Sequence, residues 1–289
     1  MSDGMEFILL NGVEISSQDI GDKLFSSALF YGTGCFETMR FDKGQILRFE
    51  DHMNRMYRGL KYLELPVNLY PDKEFLHQMI YQVISESGLI REIVKVRVQC
   101  SLLEQKGYQL DPNIQLLTHI RVSSYEKKSH PVCLFTAKTR VIPSECRPAD
   151  LKLSNMLHYR SAYREALKQK YDEALLLTLD GFIAETSMAN IFWAIGDQIF
   201  TPSIDCSILP GIMRGGIIES IKKSEILNVE EGLFKPEFLF KADLVWLSNS
   251  VIEFQPVVSV DGHQLKFDKS LLNKIMTDFH YQKGNRSNL

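Results

Sequence analysis

The sequence has 289 residues, of which 45% are hydrophobic and 24% are charged, and its net charge is −3. This composition is that of an ordinary folded globular protein, and it excludes collagen-like and disordered chains. The slight excess of acidic residues argues against broad electrostatic binding to nucleic acid, which requires a basic surface.

The sequence gives no sign of a membrane or export segment. No apolar run reaches the roughly 18 residues that are needed to span a bilayer. The first residues lack the basic start and the apolar stretch of a signal peptide. Five widely spaced cysteines, without a Cys-x-x-Cys pattern, fit a reducing compartment. We therefore expect a cytoplasmic protein that binds neither membranes nor nucleic acid.

The first part of the chain predicts strands followed by helices. Turn signals at Asn11-Gly12 and Asp42-Lys43-Gly44 predict two hairpins. Apolar residues at helical spacing predict one helix over 51–63 and a second from residue 75 until Gly88. Alternating patterns predict strands over 94–98 and 114–122. These elements indicate a small α/β domain over 1–122.

The polar stretch 123–131, which ends in a proline, is the predicted linker. After it the pattern changes to many short strands with three helices. The predicted strands cover 132–137, 173–178, 182–183, 191–194, 199–200, 244–247 and 257–260, and the predicted helices cover 156–170, 212–223 and 269–279. The sequence thus predicts an α+β protein with a larger, β-rich second domain over 132–289.

Several familiar catalytic motifs are absent from the sequence. It contains no phosphate-binding P-loop, no Gly-x-Gly-x-x-Gly, no Gly-x-Ser-x-Gly and no His-Glu-x-x-His. The seven histidines do not have the spacing of metal ligands, so we expect no metal site.

Three residues in the second half are informative together. Lys152 lies among apolar residues just before a predicted helix, and Glu185 is a lone carboxylate between two strand-like runs. Gly211 directly precedes the predicted helix that begins at Ile212. Taken one at a time, they fit a surface lysine, a solvated turn residue and an ordinary glycine at a helix start.

In combination, the three residues fit the chemistry of one cofactor. A desolvated lysine can form a Schiff base with an aldehyde. A carboxylate can keep a pyridinium nitrogen protonated, and a helix N-terminus can bind a phosphate through its N–H groups. Lysine, acid and phosphate cup are the parts of a pyridoxal 5′-phosphate (PLP) site.

The order of these residues resembles the class IV PLP enzymes, also called fold type IV, over nearly the whole chain. That family includes branched-chain and D-amino-acid aminotransferases and 4-amino-4-deoxychorismate lyases. The matching motifs are Gly34-Cys35-Phe36-Glu37-Thr38, Glu50-Asp51-His52-Met53-Asn54-Arg55, Lys152 with Asn155, the stretch 185–192, Leu209-Pro210-Gly211-Ile212, and Ser248-Asn249-Ser250. The resemblance implies a small α/β N-terminal domain and a larger β-rich pseudo-barrel domain.

The resemblance also implies roles for individual residues. Lys152 is the expected Schiff-base lysine and proton carrier, and Glu185 is the expected partner of the pyridine nitrogen. Met156 stands where some aminotransferases have a tyrosine for the ring hydroxyl. The expected phosphate ligands are the Arg55 guanidinium, the N–H groups of Ile212 and Met213, and the Ser250 hydroxyl.

Two further residues are expected to have structural roles. Asn190 lies in the Glu185 motif, and we expect it to make hydrogen bonds to the backbone rather than to substrate. Arg214 lies at the start of a predicted helix, and we expect it to contact the other domain rather than a ligand.

The resemblance leaves the reaction open, and several features favour the lyase. The stretches 189–193 and 211–214 are similar to the lyase versions of these motifs, and Lys106-Gly107-Tyr108 resembles the Arg-Gly-Tyr of a lyase loop. Thr38 matches the hydroxyl that faces the cofactor, and it is the expected catalytic residue beside Lys152. The expected substrate-binding residues are Lys106, Tyr108, Phe36 and Asn249.

Other features favour an aminotransferase. Cys100-Ser101 stands where the family commonly has Arg-Gly, and the following Leu102 and Leu103 would suit a pocket for an apolar amino acid. The predicted function is therefore 4-amino-4-deoxychorismate lyase, which releases pyruvate and forms 4-aminobenzoate. A branched-chain or D-amino-acid aminotransferase is the alternative, and a non-catalytic metabolite-binding protein is a remote one.

The resemblance finally implies a homodimer that acts on a small amino substrate. We expect the cofactor to lie between the two domains and the loop 101–110 to complete the pocket of the partner subunit. Leu102 and Leu103 are expected to be buried against that partner, because burial of each leucine is worth about 1.5–3 kcal/mol.

Overall fold

The computed structural model describes residues 6–15, 26–104, 108–109, 111–127, 130–224 and 227–286. The chain divides into two compact units. The first unit consists of Met1–Glu126 and Leu151–Met156, and the second consists of Lys127–Asp150 and Leu157–Leu289. The sequence analysis placed residues 151–156 in the second domain, whereas the structure groups them with the first unit.

The described residues of the first unit form a six-stranded antiparallel sheet and three α-helices. The strands are β1 (Glu6–Leu10), β2 (Val13–Glu14), β3 (Gly34–Asp42), β4 (Gln45–Ile46), β5 (Val94–Leu103) and β6 (Gln115–Ser124). Their order across the sheet is β2-β1-β6-β5-β3-β4. The helices are α1 (Ser27–Tyr31), α2 (Phe49–Tyr62) and α3 (Lys73–Glu86).

Both predicted hairpin turns form in this unit. Asn11 and Gly12 have φ angles of 52° and 83°, and Lys43 and Gly44 have φ angles of 50° and 77°. Two consecutive residues with positive φ form the type I′ turn, whose twist matches that of the flanking strands. The turn sequences therefore fix the register of β1 with β2 and of β3 with β4.

One apolar core holds the first unit together. On β5, the residues Val94, Val96 and Val98 are buried and alternate with more exposed ones. They belong to the same core cluster as Met53 and Leu60 of α2. The amphipathic pattern of the helix and the alternation of the strand thus bury their apolar sides together.

Strand β5 continues through Leu103, well beyond its predicted end. Leu102 is 1% exposed and Leu103 is 8% exposed, and Leu102 belongs to the core of the first unit. Pairing with Gln115 on β6 extends the strand to this point. The prediction that these leucines lie in a loop is wrong, because both belong to β5. Leu102 is buried in the core of its own unit, whereas the predicted contact of Leu103 with a partner or a substrate stays a prediction.

The described residues of the second unit form a nine-stranded sheet and three α-helices. The strands are β7 (Val132–Thr136), β8 (Glu173–Leu177), β9 (Ile183–Thr186), β10 (Asn190–Ile195), β11 (Gln198–Pro202), β12 (Asn228–Gly232), β13 (Leu244–Ser248), β14 (Gln255–Val260) and β15 (His263–Gln264). Their order is β12-β11-β10-β13-β14-β7-β8-β9, with β15 paired to β14. The helices are α4 (Leu157–Lys168), α5 (Ile212–Ser224) and α6 (Lys269–Arg286).

The central strands of this second sheet are buried on both faces. Trp193 of β10 packs in a cluster on one face, whereas its neighbour Phe192 packs on the other face with Trp246 of β13. The rings of Phe192 and Trp246 are stacked with their centroids 5.2 Å apart. A strand that is covered on both sides has a continuous apolar sequence rather than an alternating one, which is the pattern of this region.

Some elements were not predicted, and helix α6, like β5, is longer than predicted. Helix α1 is too short for a periodic signal, and β12 is a polar strand that pairs in parallel with β11 at the end of the sheet. Helix α6 continues to Arg286, beyond the predicted end at residue 279. No helix in the described ranges combines the length and apolarity needed to cross a membrane.

Candidate active site

In the first unit, Lys152 lies on a short extended segment beside β3. The Phe36 N–H donates to the Lys152 carbonyl over 2.9 Å, and the Ser154 N–H donates to the Gly34 carbonyl over 2.8 Å. Leu153, between these two residues, is buried in the core. Because side chains alternate along an extended segment, Lys152 and Ser154 point away from that core.

Half-buried side chains surround Lys152 on this side of the sheet. The Lys152 amine lies 4.8 Å from the centre of the Phe36 ring, and the Arg97 guanidinium lies 3.8 Å from the same ring centre. Thr38, two residues after Phe36 on β3, points to the same side. We call Phe36, Thr38, Arg97, Lys152 and Ser154 the Lys152 face. Two cationic groups near one ring make this surface suitable for an anionic ligand.

A buried ion-pair network lies on the opposite, core side of β3. Glu37 is fully buried, and it accepts hydrogen bonds from Arg55 Nε and Nη2, each 2.7 Å long. His52 Nδ1 donates to the second carboxylate oxygen of Glu37, also over 2.7 Å. His52 and Arg55 are three residues apart on α2 and therefore lie on one side of that helix.

The charges in this network shift the pKa values of its members. Burial alone raises the pKa of Glu37, but the Arg55 guanidinium and the His52 hydrogen bond outweigh burial and lower that pKa to about 2. Burial lowers the pKa of His52, against the opposing effect of Glu37, and the positive charges of Arg55 and Lys152 lower it further. Glu37 is therefore ionised and His52 is neutral at pH 7.

Arg55, the predicted phosphate ligand, is only 5% exposed. Its two hydrogen bonds to Glu37 use two of the five N–H donors of the guanidinium. The bidentate geometry fixes the plane of this group. Its role toward phosphate stays a prediction.

In the second unit, Glu185 lies on β9 and is buried among hydrogen-bond donors. The Tyr159 hydroxyl of α4 and the Leu209 N–H, at 3.0 Å, both donate to Oε1 of Glu185. Asn190 Nδ2 donates to Oε2 over 3.1 Å. We call Tyr159, Glu185, Asn190 and Leu209 the Glu185 cluster. Several donors around one carboxylate favour its ionised form.

The Glu185 cluster continues into the start of α5. Asn190 Nδ2 also donates to the Leu209 carbonyl over 2.9 Å. A Cβ atom at Gly211 would lie 2.2 Å from Asn190 Oδ1, so any other residue here would force the Asn190 side chain to move. Helix α5 begins at Ile212, and the N–H groups of Ile212 and Met213 point out of its N-terminus.

Arg214 stabilises this helix start within the second unit. Its Nη2 donates to the Pro202 carbonyl over 2.8 Å and to Glu231 over 2.7 Å. The expected role of Arg214 as a contact to the other domain stays a prediction.

A turn after β13 carries the remaining predicted residues of this unit. Asn249 Oδ1 accepts from the N–H groups of Val251 and Ile252, each over 2.9 Å, and its Nδ2 donates to the Met188 carbonyl. The Asn249 side chain thus closes the turn, and its predicted role toward substrate is untested. The adjacent Ser248 is fully buried, and its hydroxyl has no hydrogen-bond partner in the described structure.

The predicted lyase loop is described only in part. Lys106 lies outside the described residues. Tyr108 is 94% exposed, and its ring centroid lies 5.1 Å from that of Tyr31. The predicted role of Tyr108 in substrate binding stays a prediction.

The sequence analysis did not foresee several contacts in these two regions. It assigned no role to Glu37 or His52, and it did not connect Tyr159 to Glu185. It expected Asn190 to contact the backbone, and Asn190 contacts both the backbone and Glu185. Glu37 gave a usable signal, because a carboxylate between Cys35 and Met39 on the buried side of a strand requires a partner.

Comparison with known proteins identifies the family. The sequence model of the class IV amino-transferases matches residues 34–260. Aminodeoxychorismate lyase from Bacillus subtilis is 27% identical over 97% of this chain and 98% of that protein. The branched-chain-amino-acid aminotransferase of Escherichia coli strain K12 is 30% identical over 90% of this chain and 86% of that protein.

Solved structures have the same fold. The branched-chain aminotransferase from the archaeon Thermoproteus uzoniensis, solved with norvaline, has a TM-score of 0.84 at 25% identity, covering 96% of this chain and 94% of that one. The branched-chain aminotransferase of Escherichia coli has a TM-score of 0.83 at 24% identity, covering 93% and 92%. The predicted α+β fold of fold type IV is confirmed.

The groups in the two units fit the cofactor of this family. A half-buried amine, a buried carboxylate and a helix N-terminus preceded by a glycine are all present in the described residues. They match the aldehyde, the pyridine nitrogen and the phosphate of PLP. The chain belongs to the class IV aminotransferase family and is a PLP-dependent enzyme.

Proposed function

We propose that the enzyme is a 4-amino-4-deoxychorismate lyase, which releases pyruvate and forms 4-aminobenzoate. The observation that carries the proposal is Thr38, whose hydroxyl shares the Lys152 face with the amine. In an elimination, a second proton-transferring group can assist departure of the leaving oxygen, a step that transamination does not include. The Bacillus subtilis lyase, which aligns over almost its full length, supports the same choice.

When bound, PLP supplies an electron sink for the charge that develops at the substrate Cα. Lys152 Nζ would hold the cofactor's aldehyde carbon at rest and would take the proton from the substrate Cα, and in the elimination this proton leaves with pyruvate and does not return to Cα. Thr38 Oγ1 orients the substrate and passes a proton at the leaving oxygen. Glu185 keeps a proton on the pyridine nitrogen, so that the ring can accept charge.

The phosphate of the cofactor has four proposed ligands. Arg55 offers a guanidinium that Glu37 holds in a fixed plane. The N–H groups of Ile212 and Met213 and the hydroxyl of Ser250 are the proposed ligands from the second unit. A helix N-terminus and a guanidinium are both suited to a doubly charged phosphate.

The alternative is a branched-chain amino-acid aminotransferase. The Escherichia coli relative at 30% identity favours it. Leu102 no longer favours it, because this side chain is buried in the core of the first unit, whereas Leu103 lies outside that core cluster and still fits an apolar pocket. The proposal of a lyase over an aminotransferase rests mainly on Thr38.

The experiment offers the purified enzyme aminodeoxychorismate in one reaction, and L- and D-amino acids with 2-oxoglutarate in another. We expect pyruvate in the first reaction and no glutamate in the second. A Thr38→Val variant should lose most of the pyruvate release, while Thr118→Val, a buried threonine on β6, serves as its control. Glutamate in the second reaction, without pyruvate in the first, would establish the aminotransferase instead.

Covalent labelling tests the role of Lys152 separately from the choice of substrate. Borohydride should fix the cofactor to a peptide that contains Lys152. Lys152→Ala should remove both the label and turnover. A label on another lysine would exclude Lys152 from the reaction.

The homodimer is also a proposal, and its support is now the exposed Tyr108 rather than the leucines. Mixing inactive Lys152→Ala subunits with inactive Tyr108→Ala subunits should restore part of the activity if Tyr108 serves the partner. No recovery in mixed dimers would mean that Tyr108 serves its own subunit.

A further inference from the structure

The proposed function leaves open what holds Glu185 in place and keeps it ionised. Its carboxylate accepts hydrogen bonds from Tyr159, Leu209 and Asn190. Leu209 contributes a backbone N–H, which any residue would supply. Tyr159 and Asn190 contribute side chains, so their identity matters.

Tyr159 lies on the buried side of α4, and its hydroxyl points at Oε1 of Glu185. Burial and the negative charge of Glu185 raise the pKa of Tyr159 well above its ordinary value, and the positive charge of Arg147 opposes them only in part. The His158 ring lies 4.0 Å from the Tyr159 ring, centroid to centroid. The hydroxyl is therefore protonated and able to donate at pH 7.

Asn190 connects Glu185 to the segment that leads into α5. One nitrogen, Nδ2, donates to both Glu185 Oε2 and the Leu209 carbonyl. On the other side, Oδ1 packs so closely against Gly211 that a side chain there would collide with it. Movement of Asn190 would thus disturb both the carboxylate and the proposed phosphate cup.

We propose that Tyr159 and Asn190 are positioning residues that keep Glu185 charged and aimed at the pyridine nitrogen, and that Asn190 also couples Glu185 to the phosphate cup. This inference rests on the role of Glu185 in the proposed function. Donors to a carboxylate stabilise its charged form. A proton shared between Glu185 and the ring nitrogen then stays on the nitrogen.

The test uses holoenzyme that is loaded with PLP labelled with ¹⁵N in the ring. The ¹⁵N chemical shift reports protonation of the ring nitrogen, and the ³¹P shift reports the surroundings of the phosphate. Tyr159→Phe should lower the protonation constant of the nitrogen about tenfold, since a hydrogen bond to a charged group is lost. Its ³¹P shift should not change.

Asn190→Ala should change both signals, because Asn190 contacts both regions. Asn190→Ser takes its place if the alanine variant does not fold. Tyr163→Phe is the matched control, since it makes the same change one turn along α4 on a residue that is not in the cluster. It should leave both signals unchanged.

Glu185→Gln separates this inference from the proposed function. Loss of the ring proton in Glu185→Gln, with unchanged ¹⁵N signals in Tyr159→Phe and in the Asn190 variant, would overturn the inference alone. An unchanged ring proton in Glu185→Gln would overturn the role of Glu185 and the inference with it. A changed ¹⁵N signal but an unchanged ³¹P signal in the Asn190 variant would remove the coupling to the phosphate cup.

Discussion

Each of the two units buries a carboxylate, but the groups that donate hydrogen bonds to it differ. Glu37 in the first unit accepts from a guanidinium and an imidazole. Glu185 in the second unit accepts from three neutral groups, which are a hydroxyl, an amide and a backbone N–H. Both acids lie on strands and are almost completely buried.

This difference separates a structural role from a chemical one. A carboxylate that is paired with a guanidinium has its charge balanced within the protein, so its removal leaves an unbalanced cation. A carboxylate held by neutral donors keeps a charge that a cationic ligand such as a pyridinium can use. We therefore expect changes at Glu37 to act mainly on stability and changes at Glu185 to act mainly on catalysis.

The largest effect on stability is expected from Glu37→Gln. The amide cannot balance the buried Arg55 charge, so the free energy of unfolding should fall by about 3–5 kcal/mol. Urea unfolding measures this loss. Glu50→Gln is the control, because Glu50 forms a 2.7 Å ion pair with Lys73 at the surface, where a pair contributes about 0–1 kcal/mol. Equal losses in the two variants would show that burial does not distinguish the pairs.

The converse is expected of Glu185→Gln, in which turnover should fall by about 100-fold or more. The amide oxygen can still accept from Tyr159 and Leu209, but the amide nitrogen would face the Asn190 donor, so stability should fall by only about 1 kcal/mol. Steady-state kinetics and urea unfolding measure the two effects. Glu173→Gln is the control, because Glu173 is a buried carboxylate on β8 that accepts from Ser187. Near-normal turnover in Glu185→Gln would contradict the assignment.

Much of the fold follows from local signals in the sequence. The type I′ turns at Asn11-Gly12 and Lys43-Gly44 and the alternation on β5 are encoded by neighbouring residues. The end of β5 is not, because Leu102 and Leu103 form part of the strand through pairing with β6, which is distant in sequence. An apolar pair shows that burial is required, but it does not show which partner buries it.

In the candidate site, too, local motifs indicate some residues and not others. Lys152, Glu185 and Gly211 could be proposed from motifs, since the predicted chemistry requires particular residue types. Tyr159 is not identified, because a tyrosine on a helix gives no sign that its hydroxyl meets a carboxylate on a strand. Contacts between elements that are distant in sequence depend on the packing of the whole unit.

A smaller effect is expected from Gly211→Ala, which tests the Glu185 region without changing a polar group. The new Cβ would lie 2.2 Å from Asn190 Oδ1 and would displace that side chain from Glu185 and Leu209. We expect affinity for PLP to fall about tenfold, as for the loss of a charge-assisted hydrogen bond. Gly215→Ala on the same helix is the control, because its Cβ would enter open space. It should leave affinity unchanged and raise stability by up to about 1 kcal/mol. Equal affinity in both variants would show that Asn190 adjusts freely.

The smallest effect concerns two histidines, one near each acid. His52 donates to Glu37, whereas neither ring nitrogen of His158, beside Tyr159, has a hydrogen-bond partner in the described structure. Burial, together with the positive charge of Arg147, lowers the pKa of His158 to about 4 from its ordinary 6.5. The unfolded chain therefore binds this proton more tightly than the folded one, and stability falls as the pH drops from about 6.5 toward 4.

Because His158 is only partly buried, we expect its contribution between pH 7 and pH 5 to be about 1 kcal/mol. Urea unfolding at the two pH values should show a smaller loss of stability in His158→Gln than in the original enzyme. His263→Gln, which changes an exposed histidine on β15, should behave like the original enzyme. If His158→Gln loses as much stability as the original enzyme, the acid sensitivity arises elsewhere. His52 would then be the first residue to test, because its pKa is also lowered and it shares the buried network of Glu37.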